Sequence, residues 1–212
     1  PAISILVAAY NEESSIADTL RSIAQQEYPG EFEVLVIDDG SKDATAAIVE
    51  ANPYPWARLL RQPRNMGKAA ALNRGLAELK HDYVITLDAD SFLFGDALAR
   101  LVGRYFSDPS STRAVAGTML VRNSRKNWVT RAQEWDYFHG IAAIKRVQSL
   151  FQGTMVAQGA FSIYDREALV AIGGWQDCVG EDIVLTWAML VRGWRVGHAE
   201  DACCFTNVPD NV

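Results

Sequence analysis

The alternation of apolar runs and helical segments in the first half of the chain constrains its fold most strongly. Four runs predict strands, at residues 3–9, 33–37, 58–61 and 83–87. The segments between them predict helices: one with Ile16, Leu20 and Ile23 at helical spacing before Pro29-Gly30, and two at residues 44–51 and 69–79. The first run, ISILVAA, is typical of a strand that is covered on both faces. This order predicts an α/β fold with an open, mostly parallel sheet, flanked by helices that make right-handed crossovers.

The second half of the chain is less regular. Its patterns predict strands at residues 114–121 and 155–163, and helices at residues 128–151 and 182–192. The long helix carries large apolar residues on related faces: Trp128, Trp135, Phe138, Ile141, Ile144 and Val147. Packing of this helix within the domain is the favoured interpretation, and a position at a membrane interface is the alternative. Without a repeat or a linker, residues 1–212 are predicted to form a single domain.

Composition excludes several classes of protein. The net charge is -6 and no basic run is present, which argues against a nucleic-acid partner. The three cysteines form no CxxC pair and are expected to be reduced thiols. No apolar run approaches the roughly 18–20 residues of a membrane span. Because the chain begins at Pro1 without Met and stops at Val212, it is expected to be a segment of a longer protein.

Acidic and amide side chains follow three of the predicted strands. Asn11-Glu12, Asp38-Asp39 and Asp88-Ala89-Asp90 stand directly after the runs at residues 3–9, 33–37 and 83–87. In open α/β sheets the ligand crevice lies beyond the carboxyl ends of the strands, so these groups are expected to converge. Helix capping is the alternative, and it is favoured for Asn11 or Asp43 taken singly.

For Asp88 and Asp90 the sequence favours a cation site over a helix cap. Two carboxylates two positions apart repel each other unless a cation or hydrogen-bond donors offset the cost. Oxygen ligands suit Mg²⁺ or Mn²⁺, and Mg²⁺ binds one or two carboxylates together with substrate phosphates. The pair therefore predicts a metal that holds a diphosphate.

Two further motifs are compatible with a phosphate ligand and with acid–base chemistry. Gly67-Lys68 precedes a predicted helix, where a flexible backbone, a cation and a helix N-terminus favour an anion. A turn before a helix explains these two residues equally well. Glu181-Asp182 precedes the last predicted helix, and here a general base and a helix cap both remain open.

The ordered set of motifs resembles the family 2 glycosyltransferases, which have the GT-A (Rossmann-like) fold. The matching stretches are VAAYNE (7–12), VIDDGSKD (36–43), NMGKAAALNRGL (65–76), LDAD (87–90) and GED (180–182). A closer resemblance, to processive synthases of poly-N-acetylglucosamine, hyaluronan and chitin oligosaccharides, is carried by IKRVQSLFQG (144–153), VAQGAFSIYDREAL (156–169) and CFTNVP (204–209). Two positions depart from that pattern: Gln158, where a serine is usual, and Asn207, where an acid is usual. The QxxRW motif of these synthases is absent.

The resemblance implies a role for each motif. Residues 1–90 would form the nucleotide-binding half, and residues 91–212 the acceptor-binding and catalytic-base half. A UDP-sugar would be bound by Ala9, Tyr10, Glu12, Asp39, Lys68 and Asp88. Asp90 is the implied direct ligand of Mg²⁺ or Mn²⁺, with Asp88 beside it. Asp182 would act as the base, supported by Glu181. The implied acceptor-site residues are Gln158, Gly159 and Trp175, although core packing explains Trp175 equally well.

The function implied is inverting, metal-dependent transfer of a sugar from a UDP-sugar to a hydroxyl of a growing β-linked polysaccharide. N-acetylglucosamine is the sugar that the resemblance favours. The parent would be embedded in the inner or plasma membrane, with this domain in the cytoplasm. One alternative is a non-processive transferase that adds a single sugar to a lipid or protein. The other is a catalytically silent UDP-sugar-binding regulatory domain.

Overall fold

The computed structural model describes residues 1–151 and 153–211, and the side chains of these residues other than 140–142 and 149–151. The strands are β1 (Ile3–Ala9), β2 (Phe32–Asp38), β3 (Ala57–Arg61), β4 (Tyr83–Asp88), β5 (Ser91–Leu93), β6 (Thr112–Val121), β7 (Phe161–Asp165) and β8 (Arg195–Thr206). The helices are α1 (Ile16–Ala24), α2 (Thr45–Glu50), α3 (Lys68–Ala77), α4 (Ala97–Ser107), α5 (Trp128–Asp136), α6 (Ile144–Phe151), α7 (Arg166–Ala171) and α8 (Glu181–Val191). A π-helical segment, Tyr137–Ala143, joins α5 to α6.

One sheet of eight strands runs through both halves of the chain, in the order β3-β2-β1-β4-β7-β6-β8-β5. The first half matches the predicted pattern, because β1 lies between β2 and β4, and all pairs among β1 to β4 are parallel. The second half introduces antiparallel neighbours: β7 is antiparallel to both β4 and β6, and β5 is antiparallel to β8. The sheet is therefore mixed, with its parallel region carrying the strand ends that the sequence singled out.

Both faces of the sheet are covered, as the apolar first strand predicts. Ile5 and Val7 face a buried cluster that includes residues of α1 and α4, whereas Leu6 between them faces a second cluster formed with α3 and α8. This alternation places β1 at the centre of a three-layer arrangement. Among the described residues, no helix is long and apolar enough to cross a membrane.

Several expectations for the second half were wrong. The strand predicted at residues 155–163 begins only at Phe161, because the segment before it turns inward and its Ala157 N–H bonds to the Thr186 hydroxyl, 2.8 Å away. Strands β5 and β8 and helices α4 and α7 were not predicted. Strand β8 lacks an apolar pattern because Glu200 and Asp201 are exposed in its middle, where its pairing with β6 is irregular.

The predicted helix at residues 128–151 is helical throughout its described part, but it is divided by the π-helical segment. Packing of its apolar face within the domain is wrong for the side chains that the structure describes. Trp128 is 75% exposed and Trp135 is 68% exposed, and Phe138, Ile144 and Val147 are exposed as well. The side chain of Ile141 lies outside the described part. The face that packs inward instead carries Thr130 and, two turns later, Tyr137.

Candidate active site

The strand ends converge on a cavity of about 400 Å³, which we call the strand-end cavity. It is lined by Ala8, Ala9, Tyr10, Glu12, Asp39, Asn65, Gly67, Lys68, Asp88, Ala89 and Asp90. All six residues assigned to the UDP-sugar by resemblance are among them. The convergence follows from the parallel pairing of β1, β2 and β4, whose carboxyl ends meet at the same edge of the sheet.

The loop after β1 is held against the loop after β2. Asn11 has a left-handed backbone (φ 57°), which turns the chain away from the sheet. Its N–H donates to the Ser41 hydroxyl and its side-chain oxygen accepts from the Lys42 N–H, both at 2.9 Å. The Asp43 carboxylate accepts from the N–H of Thr45 at 3.0 Å, but the N-cap of α2 is Ala44, which follows Asp43, so the capping interpretation of Asp43 is wrong. The N-cap of α1 is Ser15, so capping is wrong for Asn11 as well, and loop contacts account for both residues.

Asp39 organises the loop that precedes α3. Its side chain is buried and accepts hydrogen bonds from the Gln62 amide (2.8 Å) and from the backbone N–H groups of Met66 (2.8 Å) and Gly67 (2.9 Å). Gly67 adopts a φ of 90°, a conformation that favours glycine. As a result Lys68, the next residue, begins α3 at the cavity wall.

A second cavity of about 310 Å³ adjoins the first, and we call it the acid cavity. It is lined by Lys68, Asp88, Asp90, Met119, Tyr137, Gln158, Gly159, Ala160, Glu181, Asp182, Thr206, Asn207, Val208 and Pro209. Lys68, Asp88 and Asp90 line both cavities. The two acidic motifs, which are about ninety residues apart in the sequence, therefore face one continuous site.

Lys68 links the two motifs electrostatically. Its Nζ lies 2.5 Å from Asp88 Oδ1 and 4.0 Å from Glu181 Oε1. Burial by itself would lower the pKa of Lys68, but the charges of Asp88, Glu181 and Asp182 raise it above its usual value. Lys68 therefore stays protonated at neutral pH and neutralises part of the acidic charge.

Lys68 offsets the charge of Asp90 only in part. Burial, followed by the charge of Asp88, raises the pKa of Asp90 above its usual value. The Thr206 hydroxyl donates to Asp90 Oδ2 at 3.2 Å and favours the ionised form only in part. Burial and the charges of Asp90 and Asp88 also raise the pKa of Glu12. The site thus holds acidic groups that repel each other in the absence of a ligand.

These carboxylates fit a divalent cation that is completed by a phosphate. Asp88 and Asp90 both line the two cavities, and the raised pKa of Asp90 records a repulsion that a cation would relieve. Within residues 1–151 and 153–211, no group of three or more His, Cys, Asp or Glu side chains could hold a metal by itself. A ligand that brings its own oxygen atoms would supply the remaining positions, as is usual for Mg²⁺.

Helix α8 delivers the second acidic motif. Gly180 has a left-handed backbone (φ 81°) immediately before the helix, and Glu181 and Asp182 occupy its first turn. Gly159 lies opposite: a Cβ at this position would be 3.6 Å from Lys68 Nζ and 3.9 Å from Asp182 Cβ. The absence of a side chain at Gly159 therefore keeps the space beside the lysine and the acid open.

Two of the three residues assigned to the acceptor by resemblance line the acid cavity, namely Gln158 and Gly159. The side-chain oxygen of Gln158 is buried without a hydrogen-bond partner among the described residues, which leaves it available to a ligand. Trp175 does not line the cavity. It is only 2% exposed and meets the ring of Tyr164 edge to face, so the structure supports a role in core packing. The expectation that Trp175 belongs to the acceptor site was therefore wrong.

Reasoning from the sequence missed Tyr137, Met119 and the carboxyl-terminal segment as parts of this site. Tyr137 lines the acid cavity from the π-helical segment, and Thr206, Val208 and Pro209 line it from the segment that ends β8. No spacing pattern in the sequence predicts that these residues belong to the site, because the long helix and β8 reach it only through tertiary contacts. Periodicity on the long helix could have separated Tyr137 from the exposed stripe, since Tyr137 follows Thr130 by seven residues.

The family model described as "Glycosyl transferase family 2" matches residues 4–173. Curated relatives include the poly-beta-1,6-N-acetyl-D-glucosamine synthases of Staphylococcus aureus and Staphylococcus epidermidis, each 34% identical to this chain. Both matches cover 99% of this chain and 51% of the relative, so the chain spans about half the length of the curated relatives it matches.

Solved structures of similar fold include a mannosyltransferase from Pyrobaculum calidifontis in complex with GDP-Man and Mn²⁺. It has a TM-score of 0.81 and 27% identity, and the match covers 99% of this chain and 57% of that chain. TarS from S. aureus, in complex with UDP-GlcNAc, has a TM-score of 0.73 and 21% identity over 100% of this chain and 60% of that chain, a likeness that shows the fold alone. The architecture is therefore GT-A. The chain belongs to glycosyl transferase family 2.

Proposed function

We propose that this domain transfers a sugar from a UDP-sugar, in a reaction that depends on Mg²⁺ or Mn²⁺ and inverts the anomeric centre. The acceptor is a hydroxyl group of a growing β-linked polysaccharide. The observation that carries the proposal is the continuity of the two cavities through Lys68, Asp88 and Asp90. A nucleotide in the strand-end cavity would bring its diphosphate to these three residues and its sugar toward Asp182.

The two cavities are assigned to different parts of the substrates. Ala9, Tyr10, Glu12 and Asp39 surround the nucleoside end, whereas Gln158 and Gly159 border the position of the acceptor. Asp90 and Asp88 would hold the cation, which neutralises negative charge on the leaving diphosphate when it is bound. Lys68, already beside Asp88, adds positive charge on the same side.

The chemical step assigns one base. Asp182 accepts the proton of the acceptor hydroxyl as that oxygen forms a bond to the anomeric carbon. The bond from this carbon to the diphosphate oxygen breaks on the opposite side, and the electron pair leaves with UDP. A single displacement of this kind inverts the configuration. The backbone N–H of Ile183 donates to Asp182 Oδ1 at 2.8 Å and orients the carboxylate, while Oε1 of the neighbouring Glu181 lies 4.0 Å from Lys68 Nζ.

N-acetylglucosamine is the sugar we propose for transfer. The support is the 34% identity to synthases of poly-β-1,6-N-acetylglucosamine, which extends over 99% of the chain. Manganese is supported by the mannosyltransferase structure, which is 27% identical and contains Mn²⁺. The polymer acceptor follows from the same synthases.

The experiment that tests this function is UDP release by the purified protein across a panel of UDP-sugars, with Mg²⁺, Mn²⁺ or a chelator, followed by sizing of the product. We expect release from UDP-N-acetylglucosamine that requires the cation and yields long chains. A product extended by only one sugar would show that the enzyme is a non-processive transferase. UDP binding without release from any UDP-sugar, with acceptor present, would indicate a silent binding domain.

The assignment of the base is tested by Asp182→Asn. We expect kcat to fall by about 10²- to 10⁴-fold, because proton transfer by a positioned group contributes this much. Asp201→Asn is the matched control: Asp201 pairs with Arg100 on the surface, lines neither cavity, and should leave kcat unchanged. Unchanged turnover in Asp182→Asn would remove Asp182 from this role.

We also propose that the domain lies at the cytoplasmic face of a membrane-embedded parent. The exposed Trp128 and Trp135 support this placement, because tryptophan is enriched at membrane interfaces. The full-length protein should sediment with membranes after cell lysis. Recovery of the full-length protein in the cytosolic fraction would contradict the placement.

A further inference from the structure

Tyr137 and residues 206–209 line one part of the acid cavity, and helix α5 is bonded to the end of this segment. The Gln133 amide donates to the Pro209 carbonyl at 2.7 Å, and the Asn127 amide donates to the Asp210 carbonyl at the same distance. Asn127 also caps α5, through reciprocal hydrogen bonds with Thr130. These contacts hold residues 206–210 against α5, and Tyr137, which follows α5 directly, lines the same cavity as Lys68 and Glu181.

The π-helical segment begins at Tyr137 and interrupts a helix whose other face is exposed to solvent. Tyr137 is half-buried, packs against the core beneath the sheet and lines the acid cavity. Segments of this kind are rare and occur frequently at functional sites, because they re-aim side chains. Burial, followed by the charges of Asp90 and Asp88, raises the pKa of Tyr137. The phenol lines the same cavity as both carboxylates and can act as a hydrogen-bond donor there.

An anionic ligand at this junction would meet little positive charge in the described lining. Among the described residues that line the two cavities, Lys68 is the one basic side chain, and its Nζ is already 2.5 Å from Asp88. A second cation here would compete for the same carboxylates, whereas a neutral phenol donates without adding charge. Tyr137 lines the acid cavity but not the strand-end cavity, so it approaches Asp88 and Asp90 from the reaction side.

We propose that Tyr137 is a substrate-binding residue whose hydroxyl donates a hydrogen bond to the outer phosphate of the nucleoside diphosphate. This inference rests on the proposed function, because it requires the diphosphate to lie at Lys68, Asp88 and Asp90. It assigns to the π-helical segment the task of contacting the leaving group. The nucleoside and its inner phosphate lie on the other side of the aspartates and are out of reach of Tyr137.

The test compares UDP with UMP, which lacks the outer phosphate, by calorimetric titration of the purified protein in Mn²⁺. Tyr137→Phe keeps the ring and removes only the hydroxyl. We expect the Kd for UDP to rise roughly tenfold or more, since hydrogen bonds to charged groups are among the stronger ones. The Kd for UMP should stay within about twofold of the unsubstituted protein. Tyr54→Phe is the matched control, because Tyr54 stacks on Trp56 and lines neither cavity.

Each other outcome overturns the inference in a distinct way. Equal losses of affinity for UDP and UMP would mean that the hydroxyl acts on nucleoside binding or on the fold. A lowered Tm of the variant would indicate the fold, and an unchanged Tm the nucleoside. Unchanged affinity for both ligands would remove Tyr137 from the donor site. Failure of the unsubstituted protein to bind UDP or any UDP-sugar would refute the proposed function itself, which is a different result from a selective effect of Tyr137→Phe.

Discussion

At the scale of single residues, the site places two carboxylates, those of Asp88 and Asp90, close enough to repel each other. Asp88 is offset by Lys68 at 2.5 Å, but Asp90 has only the Thr206 hydroxyl as its partner among the described side chains. Its raised pKa shows that burial and the neighbouring carboxylate disfavour the charged form. The free protein therefore gives up stability at the position where the cation is expected to bind.

The substitution Asp90→Asn should separate stability from function. The pKa of Asp90 is higher in the folded than in the unfolded protein, so the free energy of unfolding of the wild type falls as the pH rises from the unfolded pKa through the folded one. The asparagine variant does not ionise and avoids that loss. At pH 7 its Tm should exceed that of the wild type by about 2–4 °C for each kcal/mol of repulsion removed. Below the ordinary pKa of an aspartate the difference should vanish, as measured by thermal melting across pH.

The same variant should lose metal-dependent turnover. Affinity for Mn²⁺ should fall by at least the roughly 10- to 100-fold that even the loss of an outer-shell partner costs. Titration of Mn²⁺ in the turnover assay measures this change. An Asp90→Asn protein that melts below the wild type at pH 7, or that keeps its Mn²⁺ dependence, would contradict the assignment of Asp90 to the cation.

At the scale of elements, hydrogen bonds hold α3, which carries Lys68, against the segment that leads into α8, which carries Glu181 and Asp182. The Asn73 amide donates to the Trp175 carbonyl at 2.7 Å, and its oxygen accepts from the Trp175 N–H at 2.9 Å. Gly174 permits this approach: its φ is 70°, and a Cβ there would lie 2.1 Å from Asn73 Oδ1. Trp175 is thus an anchor for the acid motif even though it does not reach the cavity.

Replacing Asn73 with alanine should loosen this connection. Loss of both bonds leaves backbone groups of Trp175 unpaired and should cost about 1–3 kcal/mol of unfolding free energy. We expect kcat to fall while the Kd for UDP changes little, because the strand-end cavity is not touched. Urea unfolding, together with turnover and UDP titration, measures the three quantities.

Asn73→Asp provides the control for this prediction. It retains the acceptor oxygen for the Trp175 N–H but sets a second acceptor against the Trp175 carbonyl, so its unfolding free energy should fall below that of the wild type. An alanine variant as stable and as active as the wild type would show that Asn73 does not couple α3 to the acid motif.

At the scale of the whole molecule, one sheet joins the parallel strands of the first half to the strands of the second half. The junction is the antiparallel pairing of β4 with β7, next to the parallel pairing of β4 with β1. Two buried clusters, one on each face, extend along this sheet and include residues from both halves of the chain. The prediction of a single domain at residues 1–212 is compatible with this continuity and remains a prediction.

Calorimetry tests the prediction of one domain. We expect a single unfolding transition in which the calorimetric and van't Hoff enthalpies agree. Addition of UDP and Mn²⁺ at 100-fold excess over Kd should stabilise the whole molecule by about 2.7 kcal/mol and shift this transition upward as one. Two transitions, of which the ligand moves only the first, would divide the chain into independent halves.

The sequence alone determined which strand ends converge on the strand-end cavity, because the apolar runs that predict these strands are local patterns. Apolar runs predicted β1, β2 and β4, and the residues that follow each run must meet at one edge of a parallel sheet. That argument led to Glu12, Asp39, Asp88 and Asp90 without knowledge of any long-range contact. The helices around them also matched within a few residues.

Only the tertiary structure decided how the second half completes the site. The antiparallel entry of β7 between β4 and β6 brings Gly159 beside Lys68 and Asp182, and no local pattern predicts such an insertion. The π-helical segment brings Tyr137 to the same cavity, whereas Trp175 packs against Tyr164 and does not line it. Local periodicity specifies which residues are apolar, but the burial of a given side chain depends on which distant element packs against it.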